Sequence, residues 1–397
     1  MSPQWALAAA LAVAPFAVVL QNRVLAPIAL LGFLGVILLA LRRGWRPSGV
    51  PAVVWPAVAL LGWMALSAIW APEAGRALDG AARLALSLAL AVLAADALRD
   101  EPASPVVARA AALGLAAGIA AAFFDDWSGN ALRAAARGLP QWTETLSFGL
   151  KNAGAVIALL LPIGVFAPSV PLWPRVVLAF AGGAVVLVLP GESAKLAVLV
   201  GLGCGLAGRY APSITRRGLA GFAALTILVL PWVLGATLPR DASHLPSSAA
   251  HRLLIWDFAA ARVAERPILG WGMDASRAIP GGTGAPDAAM LREFGLTSPA
   301  ATQWFAGAQL LPLHPHNAAL QVWLELGVVG AALMALLLAM LALRARSPAA
   351  CGAFAAGLVV AMLSYGAWQY WWVAGLLLAA VTVASVGRPG VSCAASR

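Results

Sequence analysis

Two of the four histidines in this 397-residue chain fall in one tetrapeptide, His314-Pro315-His316-Asn317, directly before a long apolar run. Imidazole is the side chain whose ordinary pKa lies nearest neutrality. The other two histidines, His244 and His251, lie in the same interval between apolar blocks. In a chain that is 62% hydrophobic and 11% charged, proton transfer near neutral pH is therefore expected within residues 244–316. Pro315 biases His314 towards an extended backbone, and Asn317 suits the N-cap of the helix that follows. His316 then stands at the mouth of that helix. Steps of four from Asn317 reach Gln321 and Glu325, so a polar stripe continues about two turns inward. An ionisable group at that depth must be paired or face a cavity. Two readings are open. The stripe lines a polar cleft topped by a neutral histidine able to take a proton, or it is a structural pair beneath a solvated histidine.

Cations suited to an anionic substrate occur in two other places. Leu189-Pro190-Gly191 ends one apolar run, Ser193 can cap the next helix, and Lys195 falls in its first turn. Free backbone N–H groups beside a lysine suit a phosphate, although a lysine snorkelling to the interface gives the same pattern. Arg252 opens the amphipathic segment His251–Asp257, with Trp256 placed to pack on the guanidinium. Arg262, Arg266 and Arg277 follow closely. Such arginines clamp a pyrophosphate in bidentate fashion, or form a solvated face touching headgroups. The adjacent carboxylates Asp125 and Asp126 point to different helix faces and form a weaker catalytic candidate. His314 and His316 are too close to bridge a zinc, and no cysteine or nearby acid completes a set, so no metal is expected. Gly191-Glu192-Ser193-Ala194-Lys195 lacks P-loop spacing.

The elements that hold these residues must be membrane helices. Mean hydropathy is +0.87, and the chain breaks repeatedly into apolar runs of about 17–22 residues, long enough to span a bilayer core. Twelve spans are expected, near 4–20, 24–41, 50–70, 84–97, 110–124, 153–171, 175–190, 194–208, 219–237, 318–342, 349–366 and 369–387. The break near 190–193 is either a hairpin or an interruption within the membrane. The chain is thus expected to be an all-α, polytopic integral membrane protein, one membrane domain over 1–397. The first run, Trp5–Leu20, has no preceding basic residue or small-residue cleavage site and is expected to be retained. Cys204, Cys351 and Cys393 suggest neither a disulfide framework nor a zinc site. The net charge of +10 is spread over short loops with no basic run interleaved with aromatics, which points to membrane topology rather than to nucleic acid.

With the N-terminus cytoplasmic, Arg42, Arg43, Arg46, Arg99, Arg109, Arg175, Arg209, Arg216, Arg217, Arg344, Arg346, Arg388 and Arg397 lie inside. Arg23, Arg76, Arg83, Arg133, Arg137, Lys151 and Lys195 lie in short opposite-side loops. That asymmetry favours both termini inside. A large loop, 238–317, between spans 9 and 10 then faces outward, as does segment 125–152; loops this long carry function or are disordered. The larger one holds Trp256, Phe258, Ile268, Leu269, Trp271 and Trp304, enough apolar surface to fold. Helix-tolerant residues over 250–266 predict a helix stopped by Pro267, and Gly270 and Gly272 permit a tight turn.

Several of these residues form a known pattern. His316-Asn317, Leu320, Glu325, Gly327 and Gly330, in that spacing, resemble a signature of the O-antigen ligase and O-antigen polymerase family. Upstream, Arg252-Leu253-Leu254-Ile255-Trp256 and Arg266-Pro267-Ile268-Leu269-Gly270-Trp271-Gly272 are similar to that family's large-loop stretch. Lys151-Asn152-Ala153 through Leu161-Pro162 resembles one of its helices, and Ser193-Ala194-Lys195 stands where many members have Ser-Arg-Gly or Ser-Arg-Ala. The resemblance covers roughly 147–342. It implies glycan transfer from undecaprenyl pyrophosphate to an acceptor hydroxyl, such as that of lipid A core, at the periplasmic face of a bacterial inner membrane, without metal or other cofactor. It implies that His316 is the base and Arg252 holds the donor pyrophosphate. Lys195 replaces an arginine, keeping the charge but losing the bidentate fork, and Asn317, Glu325, Lys151 and His314 support the site. Within the same chemistry stand an O-antigen or exopolysaccharide polymerase and a protein O-oligosaccharyltransferase. From another class stands a proton-coupled transporter, which should show two related halves with broken helices; no such repeat is evident.

Overall fold

The computed structural model describes residues 2–103 and 105–386; Arg388, Cys393 and Arg397 lie outside them. Among the described residues the chain is all-helical. Its α-helices are α1 (Gln4–Leu20), α2 (Leu25–Leu41), α3 (Trp55–Leu66), α4 (Ala74–Ala97), α5 (Pro105–Trp127), α6 (Ala131–Arg137), α7 (Glu144–Ser147), α8 (Leu150–Phe166) and α9 (Leu172–Val188). They continue with α10 (Glu192–Tyr210), α11 (Pro212–Thr237), α12 (Ser247–Glu265), α13 (Ala288–Glu293), α14 (Pro299–Phe305), α15 (Ala318–Arg344), α16 (Pro348–Leu363) and α17 (Tyr370–Val386). Each of the twelve expected spans coincides with one of these helices. Seven stretches among the described residues are long and apolar enough to cross a membrane, and α1, α9, α16 and α17 are shorter apolar helices. The protein is a polytopic, all-α membrane protein. The 190–193 break is a turn between α9 and α10 in which Gly191 takes φ +120°, open to glycine and costly for other residues.

Large apolar side chains cover the outside of the bundle, as on Phe180 (76% exposed) and Leu31 (67%). A soluble fold would bury such residues; here they suit lipid contact. The interior centres on α8, where Ala153–Gly164 is buried on all sides. Small residues bring backbones together, as is usual between membrane helices. At Gly114 of α5 a Cβ would lie 2.1 Å from the Leu11 carbonyl oxygen of α1, so only glycine fits that crossing.

Successive long helices alternate in direction, so the connections 21–24, 67–73, 128–149, 189–191, 238–317 and 364–369 share one face, here termed the loop face. The 238–317 segment folds there on a small core of its own: Leu254, Phe294 and Phe305 are buried together. Arg240 bridges Asp257 at 2.8 Å and Glu293 at 3.0 Å across it. The helix expected at 250–266 is α12.

The loop also locks into α15. Gly327 interrupts that helix with φ +62°, ψ −162°, a conformation essentially restricted to glycine. The break frees carbonyls that an unbroken helix would use itself, and the 267–272 turn takes them. Trp271 N donates to Leu324 O (2.9 Å) and Gly272 N to Glu325 O (2.7 Å), while Val328 N returns a bond to Pro267 O (2.8 Å). Trp63 Nε1 takes Leu326 O at 2.9 Å. The approach is too close for side chains: a Cβ on Gly270 would lie 2.5 Å from the Glu325 carbonyl carbon, and one on Gly327 2.1 Å from Ile268 O. Gly270 and Gly327, 57 residues apart in the chain, are two sides of one contact.

Candidate active site

His316, Asn317 and Glu325 are carried by the start of α15, Arg252 by α12 and Lys151 by α8. What joins them is the short break between α16 and α17. Ser364 O accepts a hydrogen bond from His316 Nδ1 at 2.7 Å, and Leu363 O accepts one from Arg252 Nη1 at 2.9 Å. These are end carbonyls of α16, where unused acceptors and the negative end of the helix dipole favour cations and N–H donors. Tyr365 Oη donates to Lys151 O at 3.2 Å. Ala367 N donates to Gln321 Oε1 at 2.7 Å, and Trp368 Nε1 to Glu325 Oε2 at 2.8 Å. Ser193 of α10 and Ser364 are joined through their hydroxyls.

The Ser364 contact fixes the His316 tautomer. A carbonyl only accepts, so Nδ1 carries the proton and Nε2 keeps a free electron pair. The histidine's backbone is left-handed, φ +54°, a region costing roughly 1–2 kcal/mol for a residue with a Cβ and one where histidine is several-fold enriched. The surroundings hold it there. His316 N donates to His314 Nδ1 at 3.1 Å. Trp256 Nε1 donates to Pro315 O at 2.8 Å, and the Asn317 side chain caps α15 by accepting from Leu320 N at 3.0 Å. The two imidazoles sit edge to face, centroids 4.3 Å apart.

Burial pushes the His314 pKa down to about 3, helped by the charges of His316, Arg277 and Arg252. Burial also lowers His316. The Ser364 hydrogen bond opposes that shift, and the charges of Arg252, His251 and Lys151 reinforce it. Both rings are therefore neutral at pH 7, and His316 Nε2 is available to take a proton. Burial holds the Arg252 guanidinium below its ordinary value as well, which favours the arrival of an anion beside it.

Glu325 does not line an open cleft. It is fully buried and accepts from Ser276 Oγ (2.5 Å), Asp274 N (2.7 Å), Gln321 Nε2 (3.0 Å) and Trp368 Nε1 (2.8 Å). Glu325 follows the structural reading, tying the large loop and the α16–α17 break to α15, but the histidine above it is half-buried rather than solvated.

The expected cations separate. Lys195 lies in the first turn of α10 and pairs with Glu192 at 2.8 Å. Ser193 does not cap that helix; Gly191 occupies the cap position, and the serine hydroxyl is taken by Ser364. Lys151, expected only as support, is the lysine whose charge bears on Arg252 and His316. Among the described residues no guanidinium stacks on Trp256; its N–H is held by Pro315 O, and Arg252 turns to Leu363 O instead. Arg262 pairs with Glu265 at 2.7 Å, Arg266 stacks on Trp271 at 4.0 Å, and Arg277 reaches Asp274 at 3.4 Å. No pyrophosphate clamp forms from those three. Asp125 forms a fully buried ion pair with Arg133, so it serves structure. Among the described residues no group of three or more His, Cys, Asp or Glu is placed to hold a metal ion.

The residues that reading the chain missed are Ser364–Gln369. Their only signal was a polar, glycine-containing interruption between two apolar runs.

The arrangement is a neutral imidazole with the charges of Arg252 and Lys151 acting on it, at one end of a helix bundle. Residues 146–335 match the model of the O-antigen ligase family. A Rickettsia conorii protein named "Putative polysaccharide ligase" is 28% identical over 247 residues, 56% of this chain and 57% of that protein. A Rickettsia prowazekii protein so named is 30% identical over 231 residues, 52% of this chain and 53% of its own length. A third, from Rickettsia bellii, is 33% identical over 178 residues, 41% and 40% of the two chains. The matches thus span about half the length of these curated relatives.

Proposed function

We propose that the protein transfers an oligo- or polysaccharide from undecaprenyl pyrophosphate to an acceptor hydroxyl, the acceptor being lipid A core. The loop face is then the periplasmic face of a bacterial inner membrane. The reading is supported above all by the His316 tautomer, which leaves Nε2 free beside Arg252 and Lys151. In this scheme the acceptor hydroxyl gives its proton to His316 Nε2 as its oxygen bonds to the anomeric carbon of the donor. The bond from that carbon to the pyrophosphate oxygen breaks, and the electron pair leaves with the pyrophosphate. Arg252 and Lys151 offset the charge that develops there. The scheme uses neither a metal nor a nucleotide sugar.

Deleting the gene and separating the lipopolysaccharide tests the reading. Rough core with accumulated lipid-linked polymer is expected. A core bearing one repeat unit would instead identify a polymerase. Unchanged lipopolysaccharide with lost glycoproteins would identify a protein-directed transferase. No change in any glycan would overturn the assignment.

A further inference from the structure

A polar cleft opens on the loop face, with a volume of about 450 Å³, lined by Gln21, Asn22, Arg23, Arg137, Thr145, Phe148, Gly149 and Asn152. Two of these residues are cationic, four carry neutral polar side chains and none is acidic. Arg23, exposed between α1 and α2, makes no ion pair among the described residues. Arg137 at the end of α6 spends its Nε on Leu20 O at 3.0 Å; that bond fixes the guanidinium in the wall without neutralising it. Burial, followed by the charge of Arg133, lowers the Arg137 pKa, opposed by Asp125. That carboxylate is itself committed to Arg133 inside the fold, so it does not fill the cleft.

The cleft adjoins the transfer site without being part of it. Phe148 forms one wall, and Lys151 Nζ lies over the same ring, 4.5 Å from its centroid. Lys151 in turn acts on Arg252 and His316. A group held by Arg23 and Arg137 would therefore sit one residue's breadth from the cationic side of the transfer site.

We propose that this cleft binds a lipid-borne phosphate, a phosphomonoester or phosphodiester headgroup, between Arg23 and Arg137. Two guanidinium groups with amide and hydroxyl donors between them match the oxygens of a phosphate, and the volume suits a phosphorylated sugar or a glycerophosphate. The phosphate belongs either to an acceptor glycolipid, which rests on the proposed transfer reaction, or to a membrane phospholipid, which does not.

Native mass spectrometry of the full chain in detergent, titrated with phosphatidylglycerol, phosphatidylcholine, phosphorylated rough lipopolysaccharide and its dephosphorylated form, reads binding independently of transfer. The expected result is preferential binding of a phosphate-bearing anionic lipid, weakened about tenfold or more in Arg23→Gln/Arg137→Gln. Asn152→Asp, which adds a carboxylate to the cleft and spares both arginines, is expected to weaken it too. Preference for phosphatidylglycerol identifies the phospholipid source. Preference for phosphorylated over dephosphorylated lipopolysaccharide identifies the acceptor. In the latter case the same double variant raises the acceptor KM about tenfold in reconstituted transfer, with kcat and donor KM within twofold of wild type. Binding unchanged in both variants overturns the proposal, whether or not transfer occurs.

Discussion

Replacing Glu325 by alanine would strip four donors of their common acceptor at the point where three segments meet. Ser276 Oγ, Asp274 N, Gln321 Nε2 and Trp368 Nε1 all end on this carboxylate. A buried donor left without a partner costs about 1–3 kcal/mol. Even at the low end, four of them amount to about 4 kcal/mol, a large part of the stability of an ordinary domain. Glutamine behaves differently. With its amide nitrogen in the Oε1 position, its carbonyl still accepts from Asp274 N and Trp368 Nε1. The Ser276 hydroxyl can turn to accept, and only the Gln321 bond is lost, a cost of about 1–2 kcal/mol. Gln321 cannot flip to recover it, because its own oxygen is held by Ala367 N. Thermal unfolding of the purified variants in one detergent should rank wild type above Glu325→Gln, and Glu325→Gln far above Glu325→Ala. Transfer by the alanine variant should fall with the loss of the large loop's docking. An alanine variant that melts and transfers as wild type does would refute the clamp.

Three further outcomes are expected. Gly327→Ala places a Cβ against the backbone of residue 268 at an unfavourable φ and should cost more than about 3 kcal/mol; Gly62→Ala, with open space around it in α3, should be neutral or stabilising, and equal melting temperatures would count against the α15 contact. Lys151→Ala should lower transfer at least tenfold while Lys195→Ala changes it less than threefold, measured with purified lipid-linked donor; the reverse order would move the pyrophosphate to α10. Because burial lowers the His316 pKa, the base stays unprotonated and active on descending through pH 6.5, and kcat/KM, which reports the free enzyme, should fall only below that value; an acidic limb centred at or above 6.5 would contradict the neutral, buried base.

What could be read from the chain was local. Asn317 as a cap depends on one side chain and the next three residues, and its side chain accepts from Leu320 N. The twelve apolar runs needed only hydropathy, and each became a helix. The α12 helix and the glycine turn at 270–272 were legible for similar reasons. The polar stripe was legible as a stripe, but not its purpose, because two of the partners that settle it are Asp274 and Trp368, 51 and 43 residues distant. The anchors of His316 and Arg252 are main-chain carbonyls of Ser364 and Leu363, and every residue carries such a group, so composition cannot flag them. The two lysines show the same limit. Each precedes or opens a helix at the loop face, and only packing decides that Glu192 occupies Lys195 while Lys151 keeps company with Arg252.

The central claim is that His316 Nε2 removes the acceptor proton. Asparagine tolerates the left-handed backbone but has no basic nitrogen, so His316→Asn isolates the chemistry from the fold. With purified protein, lipid-linked glycan donor and rough lipopolysaccharide at pH 7.5, kcat for His316→Asn should fall by about 10²–10⁴, with a melting temperature close to wild type. Transfer by that variant at the wild-type rate would contradict the assignment.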